Sequence, residues 1–145
     1  MSKITRVKAR QVFDSRGNPT IEAEVFSKQL SCKAICPSGA STGTYEAHEK
    51  RDKKNKKYLG RSVFTPIKII NSTISKKLLN KNVHNQELID SILINLDGTK
   101  NKTKIGANAI LAVSMAVKKL SSKIKKIPLY KNFLVKNNFK LPYPM

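Results

Sequence analysis

The chain has 145 residues, with 29 Lys or Arg against 9 Asp or Glu, a formal net charge of +20, 39% hydrophobic residues and two cysteines. That length accommodates one domain around one core, and the absence of any run of about 20 apolar residues excludes a transmembrane helix. The charge attracts polyanions non-specifically, yet there is no Cys/His finger, RNP-like aromatic run or basic heptad region to read nucleic acid.

The opening residues MSKITRVKAR carry charge without an apolar h-region or a small-residue cleavage site, so no secretory signal is expected and a cytoplasmic address is. Residues 4–13 alternate imperfectly and are rich in β-branched side chains before the cluster Asp14-Ser15-Arg16-Gly17-Asn18-Pro19, which predicts a strand and a turn. Residues 20–26 alternate cleanly, with Ile21, Ala23 and Val25 on one face and Thr20, Glu22 and Glu24 on the other, the period of a half-buried strand. A third run spans residues 32–36, and three strands joined this closely favour an antiparallel meander. Cys32 and Cys36 share one face of that run with no His or further Cys beside them, so they read as reduced core thiols rather than zinc ligands.

Residues 38–60 are dense in Ser, Gly, Thr and charge. They predict a long loop, and a loop of that length inside a compact domain is a place for binding or closure. Thr65-Pro66 then forms a cap and first-turn pair for a helix to about residue 80, with Ile67, Ile70, Ile74 and Leu78 on its apolar face. Asn85 predicts the cap of a second helix, with Glu87 and Asp90 early, Leu88, Ile89, Ile92, Leu93 and Leu96 buried, and Asp97-Gly98-Thr99 as its end. Residues 108–125 carry the stripe Ala109, Val113, Ala116, Leu120 and Ile124, widened by Ala112 and Val117. Pro128 opens a last short helix to about residue 136, before an extended exit through Leu141-Pro142-Tyr143-Pro144.

Read as chemistry, Ser38-Gly39-Ala40-Ser41-Thr42-Gly43 frees the backbone at two glycines and offers three hydroxyls. It suits a hard cation or a phosphate, or serves as a plain flexible connection; it lacks the endings of a P-loop and of a dinucleotide fingerprint. Glu46-Ala47-His48-Glu49 is not the two-histidine zinc motif and reads as solvated loop, while His84 stands alone. No carboxylate pair has a spacing that supports acid/base work.

Taken in register, Asp14-Ser15-Arg16-Gly17-Asn18-Pro19-Thr20, Pro37-Ser38-Gly39-Ala40-Ser41-Thr42-Gly43, Leu96-Asp97-Gly98-Thr99 and Gly106-Ala107-Asn108-Ala109-Ile110-Leu111-Ala112-Val113-Ser114, with Arg51-Asp52 and Pro128-Leu129-Tyr130 also in place, resemble the successive signatures of the enolases. The resemblance implies an α+β fold, a three-stranded antiparallel meander followed by about four helices, over residues 1–140. Residues 141–145 would begin the linker toward a (β/α)8 barrel that this sequence does not include. It also implies the Mg²⁺-dependent dehydration of 2-phosphoglycerate to phosphoenolpyruvate, with base, acid and the first metal's carboxylates on the barrel and no catalytic residue in this chain. On that resemblance Ser41 ligates the second Mg²⁺, and Ser38, Gly39, Ala40, Thr42 and Gly43 shape an active-site lid. Arg10 and Glu22 match positions at the dimer interface, facing the barrel of the partner subunit.

The sequence departs from the family at His48 and Lys50, at Gly60-Arg61-Ser62-Val63, and in the lysines and Asn55 that follow Arg51-Asp52. The implied partners are a barrel domain in cis or in trans, a second copy and the substrate, with no membrane and only non-specific attraction to nucleic acid. The chain alone is expected to be inactive and to bind Mg²⁺ weakly, because one serine does not replace a carboxylate-rich site. Two other readings stand beside this one, one half of a split enolase and a basic RNA- or protein-interaction module that uses the +20 charge.

Overall fold

Strands β1 (Arg6–Phe13), β2 (Pro19–Ser27) and β3 (Leu30–Cys36) form an antiparallel sheet in the order β1-β2-β3. The computed structural model describes residues 2–39, 43–54 and 56–133. The clean alternation of β2 fixes the register, because a slip of one residue would turn Ile21, Ala23 and Val25 away from the core. Those three are fully buried, whereas Glu22 and Glu24 lie on the opposite face. Thr20 shares the polar parity yet is buried, because its hydroxyl donates to the Cys36 carbonyl at 2.6 Å. The Cys32 and Cys36 thiols are free and partly buried, and burial pushes both pKa values up, as expected of inert core thiols.

Helix α4 (Ala107–Lys125) lies across the inner face of β2 and β3, and α3 (Gln86–Asp97) packs on α4. Ala109, Ala112 and Ala116, all with no exposed surface, allow the helix to approach the sheet closely. Val113, Val117 and Leu120 complete the stripe, and each such side chain contributes about 1.5–3 kcal/mol by burial. Helix α3 begins as predicted, with the Asn85 side chain accepting from the Leu88 N–H at 3.1 Å, and ends at Gly98 in a left-handed conformation (φ 67°). Leu88 itself is 42% exposed, contrary to expectation: α3 meets its neighbours along a narrower stripe centred on Ile89 and Leu93.

Between sheet and α3 runs a continuous helical segment, α1 (Phe64–Ile69), a π-helical stretch (Ile70–Ile74) and α2 (Ser75–Leu78), packed beside β1. Its start differs from the sequence reading. Thr65 does not cap it; the Asp52 carboxylate, twelve residues before the helix start, accepts from the Phe64 N–H at 2.6 Å and the Thr65 N–H at 3.1 Å. Within the π-helical stretch the Asn71 amide accepts from the Ala9 N–H (2.7 Å) and donates to the Ala9 carbonyl (3.0 Å), so a side chain replaces the missing neighbour of edge strand β1. A final 3₁₀ turn (Tyr130–Phe133) follows Pro128; the rest of the predicted last helix, and the proposed linker at 141–145, lie outside the described residues. Among the described residues no helix is long and apolar enough to cross a membrane.

Candidate active-site lid and its anchorage

The oxygen-rich loop leaves β3 through Pro37, and Ser38 is fixed on every side. Its hydroxyl donates to Glu49 Oε2 at 2.7 Å and accepts from Arg51 Nη2. Its carbonyl accepts from Arg16 Nη2 at 2.6 Å, and the same guanidinium reaches the Gly39 carbonyl at 3.5 Å. Arg51 also donates through Nε to Glu49 Oε2 (3.3 Å) and through Nη1 to the carbonyls of Pro19 (3.0 Å) and Arg61 (2.6 Å). One guanidinium therefore ties the start of β2, both ends of the loop and the approach to α1 into one joint, a use of the rigid five-donor fork that lysine could not make.

Arg16 is placed by the Asp14 turn. Asp14 Oδ1 accepts from the backbone N–H groups of Arg16 (2.9 Å) and Asn18 (2.8 Å). The Asn18 N–H foremost, then burial working the other way and the Arg16 N–H, leave the Asp14 carboxyl below its ordinary pKa. Gly17, at φ 73°, takes the left-handed conformation that this turn requires.

The far end of the loop is tied to the front of α4. The His48 N–H donates to the Asn101 carbonyl (2.7 Å) and the His48 carbonyl accepts from the Ala107 N–H (2.8 Å). The buried Asn108 side chain grips Lys50 by its N–H (3.1 Å) and carbonyl (3.0 Å). Lys50 Nζ donates to the carbonyls of Lys104 (2.7 Å) and Thr103 (3.3 Å), so the cation at this departure from the family pattern caps exposed backbone. The approach is close enough to demand glycine at 106: φ is 101°, and an added Cβ would stand 2.6 Å from both Asn108 Oδ1 and Lys50 Cβ. Asp97, nearly buried, closes the turn beneath this contact by accepting from the Thr99 hydroxyl and from the N–H groups of Thr99 (3.0 Å) and Ile105 (2.6 Å).

Of the residues singled out in the sequence, the structure brings Ser38 and Gly39 to the anchored base and places Gly43 at the far shoulder, where its carbonyl accepts from the Glu46 N–H at 3.2 Å. Ala40, Ser41 and Thr42 lie outside the described residues. Among the described residues no three His, Cys, Asp or Glu side chains gather as a metal site, so Glu46, His48 and Glu49 do not form one. The Ser38 hydroxyl and carbonyl are already engaged, and the described residues alone do not fit a Mg²⁺ ion, which demands six oxygens in near-octahedral array. Sequence reasoning assigned no role to Arg16, Glu49 or Asn108. Beyond the motifs that contain Arg16 and Arg51, the proximity of Arg51 to Glu49 in sequence was the local signal for the clamp.

Arg10 and Glu22 are cross-strand partners on the outer face of the sheet, joined by an ion pair of 2.7 Å from Nε to Oε1. Lys33 Nζ approaches the same Glu22 oxygen at 4.0 Å. The pair is thus satisfied within one chain and largely solvated on the arginine side, where such contacts contribute about 0–1 kcal/mol.

Residues 4–133 match the family model for the enolase N-terminal domain. The chain is 73% identical over 145 residues to the enolase of Pelagibacter ubique, covering 100% of this chain and 35% of that protein. It is 52% identical over 143 residues to the enolase of Methanococcus maripaludis and 50% identical over 142 residues to that of Methanosarcina mazei, in each case covering 98% of this chain and 33% of the relative. It spans about a third of the length of these curated relatives. A sheet in meander order, helices that follow it, and a match running through every anchor of the serine loop agree, and the chain belongs to the enolase N-terminal domain family.

Proposed function

We propose that this chain acts as the lid-bearing part of an enolase, a cytoplasmic lyase that removes water from 2-phosphoglycerate to give phosphoenolpyruvate. The observation that carries the reading is the family match across residues 4–133, joined to the clamp that holds Ser38 between Arg16, Arg51 and Glu49. A mobile closure needs fixed ends: the clamp sets where the loop departs, and the Asn108–Lys50 contact sets where it returns.

In this reading Ser41 supplies one hydroxyl oxygen to a Mg²⁺ otherwise held by groups outside these 145 residues. When bound, that ion offsets the negative charge that builds on the substrate carboxylate as the neighbouring proton is removed. Ser38, Gly39, Ala40, Thr42 and Gly43 shape the lid that excludes water, with Ser38 as its fixed base. Proton removal and hydroxide departure are the work of barrel residues, so this chain by itself turns over no substrate. Arg10 and Glu22 face a second copy, their mutual ion pair exchanging for contacts to the partner subunit.

A chimera tests the proposal: the segment of the Pelagibacter relative that this chain matches is replaced by this chain and phosphoenolpyruvate formation is followed with Mg²⁺. Turnover is expected in the chimera, with Ser41→Ala reducing kcat on the order of 100-fold, the cost of a misplaced reacting geometry. A folded but inactive chimera, or one indifferent to Ser41→Ala, would overturn it.

A further inference from the structure

The stretch after Arg51-Asp52 departs from the enolase pattern by becoming basic, and the fold concentrates that charge. Tyr58, Leu59 and Gly60 take three successive left-handed conformations (φ 53°, 55° and 75°), which double the chain back until a Cβ on Gly60 would stand 3.1 Å from the Lys53 carbonyl oxygen. The turn is pinned by the Leu59 N–H on the Lys56 carbonyl (3.2 Å) and the Arg61 N–H on the Tyr58 carbonyl (2.9 Å). Two L-residues in this conformation cost roughly 1–2 kcal/mol each, so the surrounding contacts hold the turn against its own preference.

Beside this turn lies an open cleft of about 560 Å³, with His48, Lys50, Arg51, Lys53, Lys54 and Phe64 in its wall. Asp52 is the single carboxylate there, and its oxygens are committed to the Ser62 hydroxyl and the Phe64 and Thr65 N–H groups. Lys50 and Arg51 direct their donors to the framework. Lys53 and Lys54 are exposed and have no carboxylate partner among the described residues. The Phe64 side chain is 44% exposed in the same wall.

We propose that this cleft binds single-stranded nucleic acid, with phosphates on Lys53 and Lys54 and an unpaired base against the Phe64 ring. Uncommitted ammonium groups next to an exposed aromatic face are the two elements that sequence-tolerant single-strand binding combines. An acidic peptide satisfies the lysines but leaves the ring without a stacking partner, and a duplex offers it no open base. The inference is independent of the dehydratase reading, since the residues that the test changes, Lys53, Lys54 and Phe64, belong neither to the clamp on Ser38 nor to the Asn108–Lys50 contact.

The test is fluorescence anisotropy of a labelled oligouridylate with the whole 145-residue chain, titrated across potassium chloride. Lys53→Glu with Lys54→Glu is expected to weaken binding at least about tenfold at low salt and to reduce the slope of log K against log salt by about 1.4, two phosphates' share. Phe64→Ala is expected to weaken binding by roughly fivefold or more while leaving that slope alone. Lys76→Glu with Lys77→Glu, an equal change of charge on the exposed side of α2, should cost less than about threefold, through the general field alone. Circular dichroism confirms folding, and Lys53→Gln with Lys54→Gln replaces the reversal if that variant unfolds. Absence of binding, equal losses from the two lysine pairs, or competition by inorganic polyphosphate with no effect of Phe64→Ala would each overturn the proposal.

Discussion

Asn108 holds Lys50 by both of its backbone polar groups, Oδ1 accepting from the N–H at 3.1 Å and Nδ2 donating to the carbonyl at 3.0 Å. The same Oδ1 accepts from the Ala109 N–H at 3.1 Å, so one amide both satisfies the first turn of α4 and fastens the return of the serine loop. Asn108→Ala leaves the part-buried N–H and carbonyl of Lys50 without this partner, at about 1–3 kcal/mol for each. A loss of roughly 2–4 kcal/mol in urea unfolding is expected; a loss under about 0.5 kcal/mol would mean that the contact is not formed in solution.

The clamp on Ser38 separates two roles. Arg51 supports backbone carbonyls at Pro19 and Arg61 as well as the loop, so Arg51→Ala should destabilise the domain by roughly 2–3 kcal/mol, the scale of charge-assisted hydrogen bonds left unmade. Among the described residues Glu49 hydrogen-bonds Ser38 and Arg51. Glu49→Gln should therefore leave global stability within about 1 kcal/mol while accelerating proteolytic cleavage between Ser38 and Glu49 several-fold, because local opening rather than unfolding governs access there. Equal cleavage rates in wild type and variant would show that Glu49 does not fix the loop base.

How much of this was legible depended on range. The stripes of β2 and α4 were readable because Ile21, Ala23 and Val25, or Ala109, Val113 and Leu120, repeat at the period of their own element, and burial follows period. The α1 cap differs from the sequence expectation because Asp52, not Thr65, reaches the orphan N–H groups, and contacts twelve and thirteen residues apart leave no local trace. The loop was recognisable by its glycines and serines, yet the residues that anchor it come from three places: Arg16 on the first turn, Arg51 past the serine-rich stretch, and Asn108 on α4. Only folding assembles that set, and the motif resemblance located it without explaining it.

Acid should unfold the domain through three aspartates. Asp14, Asp52 and Asp97 each have a folded-state pKa below the ordinary 3.8. For Asp14 the Asn18 N–H leads; for Asp52 and Asp97 burial opposes the shift, and hydrogen bonds from Thr65, Phe64 and Ser62 in one case and from Thr99, Ile105 and Gly106 in the other outweigh it. The unfolded chain consequently takes up protons first as pH falls. Stability from these groups is complete above about pH 5 and drains away below it, through 3.8 toward the folded-state values. Asp97→Asn, which cannot titrate, should be less stable near neutrality but show a shallower fall of the urea midpoint between about pH 4.5 and 2. Parallel pH profiles for the two proteins would contradict this assignment.

Strand β3 is the other open edge of the sheet, and lysines from α4 cover it. Lys123 Nζ donates to the Ser31 carbonyl at 3.3 Å and Lys119 Nζ to the Lys33 carbonyl at 3.4 Å. These are acceptors that a further strand would otherwise use, and the ammonium groups add a charge that any second edge must desolvate. The contacts are exposed and weak singly, so Lys119→Ala with Lys123→Ala should change stability by under about 1 kcal/mol. Its effect should appear in association instead: the open edge and the lower net charge both favour pairing of β3 with β3 of another copy. Sedimentation velocity is expected to show concentration-dependent dimers in the double alanine variant, with Lys119→Gln and Lys123→Gln intermediate because an amide still donates. If the glutamine and alanine variants associate equally, repulsion between charged copies, rather than capture of the two carbonyls, is what keeps the edge closed.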